Sequence, residues 1–94
     1  MIDLQFEKYQ EVELKKLVLT DSYSVGHWLH HRISFSTEEV QGELNDPEAL
    51  LITDQATNTV IQVVLLEEGC DSANFQFTEK EKEQLTAWWL EQQL

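Results

Sequence analysis

The sequence predicts an α+β fold: a small antiparallel β-sheet with a C-terminal α-helix packed on one face, in two layers. Three observations carry this. Short apolar, β-branched runs fill most of the chain from residue 2 to residue 77. Turn-forming clusters separate them, above all Asn45-Asp46-Pro47 and Asp54-Gln55-Ala56-Thr57-Asn58. One strong helix start, Thr78 followed three residues later by Glu81, opens the final segment.

The first segment alternates at Ile2, Leu4 and Phe6, the period-two pattern of a strand. A second run, Val12 to Thr20, ends in Leu17-Val18-Leu19-Thr20 and leans towards strand for its β-branched content. Asp21-Ser22-Tyr23-Ser24 supplies turn and N-cap chemistry. Residues 25–35 fit two templates. Val25, Trp28, Leu29, Arg32 and Ile33 have helical spacing, while Leu29, His31, Ile33 and Phe35 share a strand face. Gly26 weakens the helix by about 1 kcal/mol relative to Ala, so strand is the favoured reading.

Ser36 with Glu39 resembles a capping box before a short helix or turn through Val40 and Leu44. Residues 49–53 and 59–66 read as the arms of a hairpin. Only Gln62 interrupts the apolar run Val60 to Leu66, so this strand is expected to be central and covered on both faces. Ala73, Phe75 and Phe77 alternate in a last short strand. The helix from the Thr78 cap is expected over 79–92, with Leu85, Trp88 and Trp89 near one stripe and Leu90 off it.

Length and composition set the class. Ninety-four residues make one domain, 1–94, and 41% hydrophobic content is that of a folded chain. No apolar run approaches the ~20 residues of a membrane span. The start, Met1 to Glu7, has neither the basic nor the apolar part of a signal peptide. The single cysteine, Cys70, allows no internal disulfide. A cytoplasmic protein is the expectation.

Charge is the most informative feature. Eighteen acids against six Lys and Arg give a net charge of −12. Residues 33–79 hold ten of the acids and no Lys or Arg, a net of −10. A surface of this sign repels phosphates, so direct nucleic-acid binding is not expected. It suits a basic protein partner instead.

Chemistry-bearing motifs are few. His27, His30 and His31 lie within five positions, but a strand puts only His27 and His31 on one face, so no metal site and no cofactor are expected. Cys70 sits among Glu67, Glu68 and Asp71, without the cationic neighbour that activates a nucleophilic thiolate. Three glycines in total leave no phosphate-binding loop. No catalytic residues are assigned, and a non-enzyme is expected.

The leading functional expectation is therefore an acidic protein-binding module. Its composition is of the kind used by small phage or mobile-element inhibitors that occupy a basic nucleic-acid-binding surface of a target. Its candidate contact residues are Glu38, Glu39, Glu43, Asp46, Glu48, Asp54, Glu67, Glu68 and Asp71. The alternative is a small structural or accessory subunit that forms a homodimer through its Trp-containing helix or a sheet edge. Trp88, Trp89 and Leu90 are then the candidate anchors.

Overall fold

A computed structural model describes residues 1–5, 7–37, 44 and 46–93, with Lys8 by its backbone alone. The elements in order are β1 (Ile2–Asp3), β2 (Lys8–Tyr9), β3 (Lys15–Val25), β4 (Trp28–Ser36), β5 (Pro47–Asp54), β6 (Val60–Glu67), β7 (Cys70–Asp71), β8 (Phe75–Gln76) and α1 (Glu79–Gln92). The main sheet is antiparallel with strand order β3-β4-β5-β6-β7, and β2-β1-β8 form a second, small sheet. The α+β class holds.

The ambiguous segment resolves as strand. Gly26 and His27 form a two-residue hairpin loop between the paired residues Val25 and Trp28. Gly26 takes φ +61°, the left-handed region that suits glycine at this point of a tight hairpin. This corrects the turn expected at Asp21 to Ser24. Those residues continue β3, where an exposed edge strand tolerates polar side chains facing water. The hairpin of β5 and β6 forms as expected, turning through Gln55 to Thr59 with Asn58 at φ +56°.

Two further expectations need correction. The first strand stops at Asp3, because Leu4 and Gln5 turn and the Gln5 N–H bonds Asp3 Oδ1 at 2.9 Å. β6 is not the central strand; β5 is. On its far side β6 pairs, among the described residues, with the two residues of β7 through Leu66 and Glu67, and the Leu65 carbonyl accepts the Ser72 N–H at 3.0 Å, so its first half is an open edge with Ile61 50% exposed. The apolar run had a different cause. Val63 and Leu65 face the core, while Val64 and Leu66 belong to the other face of the sheet. The capping box proposed at Ser36 and Glu39 lies in part outside the described residues.

One face of the sheet carries the core. Ile33 and Phe35 from β4, Ala49 and Leu51 from β5 and Val63 and Leu65 from β6 meet Leu85 and Trp89 of α1. Met1, Phe75 and Phe77 close it from the small sheet, with Phe35 and Phe77 rings 5.8 Å apart. α1 starts where the sequence places it. Thr78 Oγ1 accepts the Glu81 N–H at 3.2 Å, and Glu81 Oε1 accepts the Thr78 N–H at 3.0 Å. The same carboxylate does more: its Oε2 accepts the Val12 N–H at 3.0 Å and pairs with the Met1 terminal ammonium. One turn on, Gln84 accepts the Leu14 N–H at 3.1 Å and donates to the Leu14 carbonyl at 2.7 Å. Residues 11–14 thus bury Val12 and Leu14 without a partner strand, because helix side chains satisfy their backbone.

Candidate functional site: the uncovered sheet face

Among the described residues α1 packs on the first face of the main sheet and not the second, which is open except at its Leu66 end, where Leu66 is buried. Pairing registers place its residues in rows across the strands: Val25, Trp28 and Asp54; then Tyr23, His30, Ile52 and Gln62; then Asp21, Arg32, Leu50 and Val64. A solvated sheet face is normally polar. Here Val18, Tyr23, Val25 and Trp28 are each about half exposed, and Leu50, Ile52 and Val64 are half-buried beside them. Tyr23 and His30 rings lie 5.3 Å apart on this face.

Its charges are unequal. Arg32 is a cation of this face, and Glu48 of the next row pairs with its guanidinium; Lys15, opposite Ser36, stands at the far end of β3. Thr20 Oγ1 also donates to Glu48, at 3.3 Å. Glu48 is therefore engaged internally. Asp21, Asp54 and Asp71 have no ion-pair partner among the described residues. The face is apolar at its centre and negative at its margin.

The sequence-predicted acids divide between two ends of the sheet. Asp46, Glu67 and Glu68 gather where β5 begins and β6 ends, with the Glu68 N–H on the Asp46 carbonyl at 3.4 Å. Asp71 lies beside them, opposite Leu66, and Glu67 accepts from the Ser72 hydroxyl. Asp54 stands at the far end, eight positions along β5 from Asp46 and roughly 26 Å away at 3.3 Å per residue. Glu38, Glu39 and Glu43 lie outside the described residues.

The helix anchors separate as well. Trp89 is buried and packs against His31, while Trp88 is half-buried against the core and Leu90 is 51% exposed. A shallow groove of about 480 Å³ runs between β3 and the end of α1, lined by Leu17, Leu19, Trp88 and Gln92.

The histidines do not converge. His27 is exposed in the hairpin loop, His30 lies on the uncovered face, and His31 is buried on the core face. His31 Nδ1 is 2.9 Å from Ser22 Oγ and Nε2 is 3.2 Å from Thr53 Oγ1. Burial holds its pKa below the usual imidazole value, with His30 adding a smaller repulsion. Among the described residues no three His, Cys, Asp or Glu side chains are grouped to hold a metal ion. None of their helices is long and apolar enough to cross a membrane.

Sequence reasoning missed the uncovered face because it assigned the apolar surplus of residues 60–66 to a central strand. A usable signal was there: one helix cannot cover both faces of a sheet. Comparison with protein-family models, curated proteins and solved structures finds no match to this chain.

Proposed function

We propose that this protein is a non-enzymatic binding module whose partner is a basic protein, an inhibitor of a nucleic-acid-binding surface being the form that best suits its charge. The observation that carries this is the uncovered sheet face: exposed Val18, Tyr23, Val25 and Trp28 beside the carboxylates of Asp21 and Asp54. Exposed apolar surface of this kind favours association, and unpaired margin carboxylates select a cationic partner over an acidic one. The net charge of −12 speeds encounter with such a partner through long-range steering.

The accessory-subunit reading is the second candidate, and β3 supports its sheet-edge form. β3 is an 11-residue edge strand. Against it, β3 carries two register irregularities and Lys15 and Lys16, devices that blunt an edge against pairing. The helix form has less support, since Trp89 is spent on the core.

Capture of partners at low salt, followed by association kinetics across a salt series, tests the proposal. The expected result is a basic partner whose association slows steeply as salt rises from ~0.1 M to ~1 M, where the screening length falls from ~10 Å to ~3 Å. Salt-indifferent association that fails on Leu90 or Trp88 substitution sinks it.

A further inference from the structure

We propose that Trp28 and Asp54 form a subsite that seats an arginine side chain of the basic partner; the inference rests on the binding reading above and names its anchoring contact. The two residues are direct register partners, at the start of β4 and the end of β5, on the uncovered face. Together with His27, Gln55 and Ala56 they line an open groove of about 530 Å³. Trp28 is 50% exposed although it is the largest apolar side chain of that face, so its ring is available to a ligand.

The groove is built rather than incidental. The Gln55 N–H bonds the His27 carbonyl at 3.0 Å, which ties the tips of the two hairpins together. The Asp54 N–H bonds the Thr59 carbonyl at 2.9 Å, and the Asn58 N–H bonds the Asp54 carbonyl at 2.7 Å. Asp54 Oδ1 accepts the Ala56 N–H at 2.8 Å. The carboxylate is thus oriented by its own turn, while no Lys or Arg among the described residues pairs with it.

An indole face beside an oriented carboxylate matches a guanidinium. The planar cation stacks on the ring and donates N–H groups to the carboxylate in one pose. Ammonium is a poorer match, being a strongly hydrated point charge without a stacking plane. The acids at the other end of the sheet, Asp46, Glu67, Glu68 and Asp71, have no Trp beside them and offer charge alone.

The test needs no knowledge of the partner. Acetylated tetra-arginine and tetra-lysine amides are titrated at low ionic strength into the ¹⁵N-labelled protein, its Trp28→Leu and Asp54→Asn variants and a Glu67→Lys/Glu68→Lys variant. Asparagine still accepts the Ala56 N–H, and Trp28 is half exposed, so both variants keep the fold, which their spectra verify. The expected result is saturable shifts at the Trp28 indole N–H and the Ala56 amide with tetra-arginine. Binding weakens about three- to tenfold in either groove variant, and tetra-lysine binds more weakly than tetra-arginine. The Glu67/Glu68 variant retains the Trp28 shifts.

Shifts confined to the Asp46, Glu67, Glu68 and Asp71 end overturn the subsite and leave the acidic-module reading standing. No saturable shift, equal response to both peptides, or Trp28 shifts that grow with protein concentration alone (a second copy in the groove) each overturn it as well. A captured basic partner that binds Trp28→Leu and Asp54→Asn as tightly as wild type separates the two claims in the same way.

Discussion

His31 packs against Trp89 in a tilted arrangement, with ring centroids 4.0 Å apart and planes inclined by 33°. The contact joins β4 to α1 across the core, and both imidazole nitrogens have hydroxyl partners, Ser22 and Thr53. Burial disfavours the charged form of this imidazole. Its folded pKa lies below the unfolded value of about 6.5. As pH falls through ~6.5 the unfolded chain takes up the proton first, so stability drops until pH passes below the folded pKa.

Urea denaturation across that window checks this. His31→Gln should flatten the pH dependence between neutral pH and the acid limb, at some loss of stability at pH 7. An unchanged slope in the variant would assign the dependence to other groups.

Trp89 and Trp88 should differ sharply. Trp89→Ala removes a 6%-exposed ring from the core and should cost about 3–5 kcal/mol. Trp89→Phe should cost far less than the alanine change, because Trp89 Nε1 is buried without a hydrogen-bond partner among the described residues and phenylalanine omits that donor. Trp88→Ala should cost less than Trp89→Ala. Thermal melts of the three variants decide the order.

Glu81 binds helix, loop and amino terminus together. Glu81→Ala removes the cap partner of Thr78, leaves the Val12 N–H buried without its acceptor and strips the buried Met1 ammonium of its counter-charge, with the Gln10 carbonyl as its remaining acceptor. A loss of about 3–5 kcal/mol is expected, the range for breaking a buried pair. Chemical denaturation measures it, and a cost near the ~1 kcal/mol of an ordinary cap would show that the long-range bonds contribute little.

Along β6 the core-packed half and the open first half should respond differently. Val63→Ala or Leu65→Ala opens a cavity in the core and should cost about 1–4 kcal/mol. Ile61→Ala, at a 50%-exposed position beside the open edge, should fall within roughly 0.5 kcal/mol of wild type. Comparable costs at all three positions would mean that the edge is covered in solution.

Much of the fold was legible residue by residue. The Thr78 cap, the Leu85 and Trp89 stripe and the Asp54–Asn58 turn are local signals, read from neighbours within a few positions. The β3–β4 turn was misplaced because four polar residues outweighed a single glycine, although only the glycine favours φ +61°. The candidate site was legible in part. Asp54 was chosen for its charge, but its register partner Trp28 was not chosen, since pairing joins residues 26 positions apart.

By itself, then, the sequence determined most of the element types, the C-terminal helix with its cap, the α+β class and a net charge of −12. These follow from local periodicity, capping and composition, which need no knowledge of distant contacts. Only the tertiary structure decided which sheet face the helix covers, and that Glu81 and Gln84 satisfy backbone groups about 70 residues away. It alone set Asp54 beside Trp28 and apart from the other acids. The reason is physical: a single helix can shield one face of a sheet, and strand pairing, not sequence proximity, determines what lies side by side on the face left open.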